Sequence, residues 1–213
     1  MSHAELDSPE PTPGGEATPA AGTRKRPKPG ERRVQILQAL ATMLEQPGAE
    51  RITTAALAAK LEVSEAALYR HFASKAQMFE GLIEFIEQSV FSLINQIGER
   101  EAEGQAQAAR IVGMLIQFAE KNPGMTRVMV GDALVFENER LQQRMNQFFD
   151  KVEASLKQCL RPSTENAAAP TVDAQVRASV LTAFIVGRLQ RFARSGFKRA
   201  PSEHLEASLA RML

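Results

Sequence analysis

Between residues 74 and 98, Phe79, Leu82, Ile83, Ile86, Val90, Leu93, Ile94 and Ile97 recur at three- and four-residue spacing. A helix of about seven turns satisfies that period, whereas a strand would need alternation. Met78 and Phe85, seven apart, widen the apolar surface beyond one face. Such a helix is either deeply buried or meets a second partner. The same period returns elsewhere. Residues 31–46 carry Val34, Leu37, Ala41 and Leu44, with Ile36 and Leu40 beside them. Residues 106–121 carry Ala108, Ile111, Val112, Leu115, Phe118 and Ala119, and residues 140–160 carry Leu141, Met145, Phe148, Val152 and Leu156 inward. Asn122-Pro123-Gly124 breaks the chain before a helix expected to run to about Glu137; residues 172–195 and 202–213 read as the last two. The expected fold class is all-α.

Two short helices interrupt this series of longer ones. Pro47-Gly48 stops the first helix, Thr53 caps one over 55–61, and Leu61-Glu62-Val63 turns the chain. Ser64 then caps a third, because its hydroxyl can accept from an unpaired first-turn amide. Leu68 and Phe72 share a face that anchors this helix, while Ala66 and Ala67 leave its tip small. Tyr69, Arg70, His71 and Lys75 supply donors. Two helices joined by about three residues, the second tipped with polar groups, form a helix-turn-helix. A small-tipped, donor-rich helix fits a DNA major groove. Thr53 is either a cap alone or a cap whose hydroxyl and backbone amide also face a phosphate, and Thr54 beside it is a further DNA-binding candidate. Lys75 reads as a phosphate contact, and Glu65 as an acceptor from a cytosine amino group.

Charge follows the same division. Of 213 residues, 1–23 hold four acids and no Lys or Arg. Residues 24–75 hold ten Lys/Arg against five Asp/Glu, and 76–213 hold sixteen of each. The net +1 therefore conceals a basic opening stretch of the kind nucleic acid attracts. Residues 1–30, rich in Pro, Gly, Ala and Thr, bury too little surface to order. They end in a basic arm, Arg24-Lys25-Arg26-Pro27-Lys28. No apolar run reaches a membrane span and no secretory h-region precedes the chain. The lone Cys159 permits no intrachain disulfide and suits a reducing cytoplasm. His71 lies on the reading helix and Cys159 on an apolar face, with no metal-ligand spacing and no Gly-rich phosphate loop. No enzyme, metal or cofactor is expected.

Residues 52–58, Val63-Ser64, Leu68-Tyr69-Arg70-His71-Phe72 and Ser74-Lys75 resemble the DNA-binding domain of the TetR family. The chain departs from it at Glu62, where that family usually has Gly; a left-handed backbone there would cost Glu62 roughly 1 kcal/mol. Further segments resemble one TetR-type branch, the nucleoid occlusion factors: Gln35-Ile36-Leu37, Arg51 to Thr54, Leu82 to Glu87 and Asn122-Pro123-Gly124. Ala133-Leu134, Phe136-Glu137, Arg140-Leu141-Gln142 and Phe197-Lys198 extend this likeness over about residues 31–205. The resemblance implies a cytoplasmic, nucleoid-associated homodimer on palindromic double-stranded DNA, with one or more dimers per site. It also implies that the DNA-bound protein engages the C-terminal tail of the division protein FtsZ and opposes ring assembly over the chromosome.

In that branch the tail docks between the two helices after the reading head, at positions matching Phe85, Met114, Gln117, Lys121 and Asn122. Periodicity marks the same area: Arg110, Met114, Gln117 and Lys121 line a face apart from the core stripe. Phe85, Met114 and the basic tip Lys121-Asn122 either frame a groove for an extended acidic-apolar peptide or pack in the core. Gln117 and Lys121 replace a family glycine and arginine, and lysine lacks the bidentate fork. Ala178, Ser179, Ala183 and Gly187 give residues 172–195 a small-residue side, with Phe184, Leu189 and Phe192 adding apolar area. That side, at Ala183, Phe184 and Gly187, suits a subunit interface or a monomeric bundle; a symmetric DNA reader favours the dimer. The expected layout is a 1–30 tail, a 31–75 helix-turn-helix domain and a 76–213 domain for dimerisation and partner binding. A ligand-responsive repressor is the alternative, weakened by the shortage of convergent polar groups among the inner stripes.

Overall fold

The computed structural model describes residues 30–46, 52–162 and 170–213. The basic arm, Pro47-Gly48, Arg51 and most of the 161–170 loop lie outside these residues. All elements among the described residues are helical: α1 Glu31–Leu44, α2 Thr54–Lys60, α3 Glu65–Tyr69, α4 Lys75–Arg100, α5 Gly104–Lys121, α6 Pro123–Met129, α7 Glu139–Leu160, α8 Pro170–Arg194 and α9 Leu205–Met212.

Local chemistry sets the starts. Thr53 accepts from the Ala56 amide at 3.1 Å, Ser64 from Ala67 at 3.2 Å and Ser74 from Gln77 at 3.2 Å. Each serves an amide that a helix start leaves unpaired. Asn138 caps α7 through Arg140 at 3.0 Å, and Pro123 opens α6 where no amide donor is needed.

One apolar core runs through the molecule, from Ile36 in α1 to Leu189 in α8. The expected inward residues of α7, Leu141, Met145, Phe148, Val152 and Leu156, are all buried. Phe91 and Phe149 meet Phe148 edge-on at 5.6 and 5.1 Å between centroids. α7 and α8 form the most extensive helix pair. Ion pairs from Arg140 to Glu80 and from Arg144 to Glu87 tie α7 to α4 at the surface. Hydrogen bonding to Glu87 outweighs burial and raises the Arg144 pKa, so this guanidinium stays charged.

Several expectations change. Val34 is exposed; the buried face of α1 is Ile36, Leu40, Ala41 and Leu44, and two residues turn a side chain by about 200°. Met78 is fully buried, so of the pair that widened the α4 surface only Phe85 remains outside the core. Leu93 is exposed and Ile116, absent from the expected α5 stripe, is buried. The helix expected to reach Glu137 stops at Met129. Gly131 turns the chain at φ +83, and a 3-10 turn over Asp132–Leu134 follows. The left-handed backbone at Gly131 favours glycine; the Gln142 side-chain amide, 2.6 Å from where a Cβ would sit, is a flexible end that could move aside. The last helix begins only at Leu205, after His204 in the left-handed region at φ 53.

α1 is seated on α6 by an unusually close approach. A Cβ on Gly124 would lie 1.9 Å from the Ala41 carbonyl oxygen. Thr126, fully buried, donates to the Ala119 carbonyl at 2.8 Å and fixes the bend between α5 and α6. Gly124→Ala should destabilise the protein by about 1–3 kcal/mol, because backbone rather than a flexible side chain must yield. Urea denaturation checks this; an unchanged midpoint would mean that the contact is slack.

Candidate nucleic-acid interface

α2 and α3 are too short to stand alone and are held by what lies beneath them. Ile52, Leu57, Ala58, Leu68 and Phe72 are buried. Gly81 of α4 makes room for Phe72, whose ring would meet a Cβ at 3.2 Å. Arg33 of α1 completes the seat in a way the sequence reading missed. Its guanidinium lies 4.1 Å from the Phe72 ring centroid and donates to the His71 carbonyl at 2.7 Å. The end of the reading helix is thereby fastened to α1. Only an arginine in the first turn of α1 signals this in the sequence.

Above that seat, Thr53, Ser64, Glu65, Ala66, Tyr69, Arg70 and His71 are exposed, while Thr54 and Ala67 are half-buried. Of these, Thr54, Glu65 and Tyr69 are brought together where α2 meets α3. Thr54 donates to a Glu65 carboxylate oxygen at 2.6 Å and receives the Tyr69 hydroxyl at 3.5 Å. Glu65 therefore braces α3 against α2 with one oxygen, which the proposed role at cytosine did not include. Glu62 has φ 53, the left-handed turn at which glycine was the expected residue. Lys75 is not free: it pairs with Glu137, which follows the 3-10 turn, and its ammonium lies 5.7 Å from the Phe79 ring centroid.

The second set of residues divides. Phe85 is 48% exposed, and Gln117 and Lys121 are also exposed. Met114 is half-buried against the core. The Asn122 amide donates to the Phe118 carbonyl at 2.7 Å and closes the end of α5. Phe85, Gln117 and Lys121 thus offer surface, Met114 a partial floor, and Asn122 a structural end.

On α8, Ala183 is exposed and Phe184 half-buried, with Arg188 4.9 Å from its ring centroid. Space is open where a Gly187 Cβ would be. Ala178 faces the core instead, which corrects its assignment to the small-residue side. Val172, Val176 and Val180 are exposed and continue the Ala183 and Gly187 face toward the start of α8. Their four-residue spacing opposite the core residues Ala178, Leu181 and Ile185 was the signal available in the sequence. The Cys159 thiol is raised by desolvation, which leaves it less thiolate and a poorer nucleophile. Among the described residues no cluster suits a metal ion, and no helix is long and apolar enough to cross a membrane.

Comparison with known proteins agrees with this architecture. Residues 36–82 match the model of the bacterial regulatory proteins of the tetR family, and residues 104–212 that of a tetracyclin repressor-like C-terminal domain, SlmA-like. The chain is 52% identical over 181 residues to the nucleoid occlusion factor SlmA of Aliivibrio fischeri, covering 84% of this chain and 92% of that protein. It is 51% identical over 177 residues to that of Idiomarina loihiensis, covering 83% and 90%. A TetR-like regulator from Rhodococcus sp. RHA1 shares the fold with a TM-score of 0.69 at 20% identity, covering 88% of this chain and 97% of that one. The curated relatives carry the name nucleoid occlusion factor, and the N-terminal match is to a family of bacterial regulatory proteins. With about half of its aligned residues shared over more than four fifths of its length, and both family models matched, the chain belongs to the TetR-type family of SlmA nucleoid occlusion factors.

Proposed function

We propose that the protein acts as a homodimer on palindromic chromosomal DNA and, while bound there, grips the C-terminal tail of FtsZ and opposes division-ring assembly over the nucleoid. The setting is the cytoplasm, on the chromosome. Two reading heads set about 34–36 Å apart would enter successive major grooves on one duplex face. Thr53, Thr54, Tyr69 and Lys75 position the head on phosphates, and Ser64, Glu65, Ala66, Ala67, Arg70 and His71 meet the groove. With so small a tip, base contacts are few and DNA shape carries much of the specificity.

The observation that carries the partner half is the apolar-basic surface left uncovered by the core. Phe85 on α4 and Gln117 and Lys121 on α5 are exposed on two helices that pack together, and Met114 of α5 is half-buried. An extended peptide with apolar and acidic side chains suits such a surface. Lys121 supplies the charge but not a bidentate fork, so its hold on a carboxylate is looser than an arginine's.

The alternative, a ligand-responsive repressor, has one observation in its favour. Ile94, Gly98, Gln107, Ile111 and Cys159 border a cleft of about 560 Å³ where the far end of α4 meets α5 and α7. It lies away from the Phe85 surface, so the two readings separate by experiment.

Sedimentation of polymerised FtsZ with the protein, with and without its palindromic duplex, should show DNA-dependent loss of polymer. Unaltered polymer, together with release from DNA by a small metabolite, would establish the repressor instead. Lys121→Glu should weaken FtsZ engagement about tenfold or more while DNA affinity holds, since an attractive charge becomes a repulsive one. Equal loss of both would misplace the partner surface. Tyr69→Ala should lower DNA affinity across all sequences and flatten its salt dependence; altered base preference would make Tyr69 a reader. Val176→Arg should shift sedimentation toward monomer, by placing charge in an apolar interface; an unshifted dimer would place the interface off this face.

A further inference from the structure

Lys75 and Glu137 come from opposite sides of the boundary between reading head and helical body. Lys75 opens α4 directly after the cap at Ser74. Glu137 ends the segment that leaves the 3-10 turn at Asp132–Leu134. Their side chains are paired, with 27% and 10% of each exposed. The two residues before Glu137 have no such shelter: Val135 and Phe136 are 68% and 67% exposed. The turn that leads to them is set by the left-handed Gly131, so this short segment leaves the body as a small raised edge.

A DNA phosphate and the Glu137 carboxylate offer the Lys75 ammonium the same chemistry. The ammonium has three N–H donors but a single positive charge, and two anions held against it repel each other, so binding at one site draws it from the other. A carboxylate so nearly covered cannot lose its cation and stay in place without cost, because an unpaired buried charge is strongly unfavourable. It must move toward water. Glu137 adjoins Phe136 in the chain, and its motion carries the exposed apolar pair with it.

We infer that Glu137 is a built-in competitor for the phosphate-binding Lys75, and that DNA binding exchanges this ion pair and repositions the Val135 and Phe136 edge. The inference rests on the reading of Lys75 as a phosphate contact. Linkage makes the effect reciprocal: whatever holds Glu137 out would raise DNA affinity by the same factor. The other charged groups nearby are already engaged across α4 and α7, Arg140 with Glu80 and Arg144 with Glu87. Lys75 is the cation that Glu137 holds.

The test uses the full-length protein and a fluorescein-labelled duplex recovered from a random pool by selection on it. Anisotropy titrations compare wild type, Lys75→Gln, Glu137→Gln and Glu139→Gln. Glu139 lies two residues further on, in the first turn of α7, and its replacement removes the same charge without touching Lys75. Lys75→Gln should weaken binding and reduce the salt slope by about one per reading head. Glu137→Gln should tighten binding about three- to fivefold per head, as expected for removal of a partly screened ion pair, with Glu139→Gln near wild type. The chain contains no tryptophan, so Phe136→Trp gives a single emission signal. That emission should shift when unlabelled duplex is added, and should already be shifted when Phe136→Trp is combined with Glu137→Gln in the absence of DNA. If Lys75→Gln binds like wild type, the phosphate role and the exchange both fall. If Lys75→Gln weakens binding but Glu137→Gln matches Glu139→Gln, or the Phe136→Trp emission is silent to bound DNA, the phosphate role stands and the exchange falls.

Discussion

The first turn of α6 lies against α1 so tightly that only a hydrogen fits between them at Gly124, with the Ala41 carbonyl directly opposite. That contact helps position the DNA-facing helices, together with the seat of Phe72 on Gly81 of α4. α1 carries Arg33, which holds the end of α3 through the Phe72 ring and the His71 carbonyl. α6 in turn continues from α5 through the buried Thr126 hydroxyl. A displacement of α6 is therefore passed to α1 and to the reading helix with little slack, because packed interiors shift between discrete arrangements rather than stretch. The continuous core from Ile36 to Leu189 adds to this stiffness, joining stretches that a division at residue 75 would separate.

Surface chemistry is divided among faces of that single unit. The α2 and α3 face is polar and small, braced internally by the Thr54, Glu65 and Tyr69 hydrogen bonds. The α4 and α5 face is apolar and basic, and the outer face of α8 is aliphatic. Each suits a different class of partner: a phosphate backbone, an acidic-apolar peptide and a second copy of an aliphatic helix face. A short, mixed reading helix gives modest base discrimination by itself, which a proposed dimer would offset by presenting two heads at fixed spacing.

Much of this was legible in the sequence because the governing interactions are local. Caps at Thr53, Ser64 and Ser74 depend on residues three apart, and the stripes of α4, α5 and α7 on spacing alone. What escaped was decided by partners distant in the chain. Whether Val34 or Ile36 faces inward depends on where α4 and α6 lie, and both continue an apolar pattern. Gly131 takes a left-handed backbone and turns the chain out of a helix whose side-chain pattern continues past it. At the candidate site, Arg33 and Glu137 act on His71 and Lys75 from 38 and 62 residues away, a relation that no local motif encodes. The valines of α8 are spaced four apart in the sequence and lie on the exposed face, and the inward turn of Ala178 shows that small size alone does not mark an interface.

The central claim is that DNA and the FtsZ tail occupy separate faces of one rigid unit. Amide hydrogen exchange on the duplex complex, before and after addition of a peptide of the FtsZ C-terminal tail, tests this most directly. Duplex should protect residues 53–56 and 64–71, and the peptide should add protection in residues 82–90 and 114–122 without loosening the first set. Peptide protection within 53–71, or release of the duplex as peptide binds, would contradict the account.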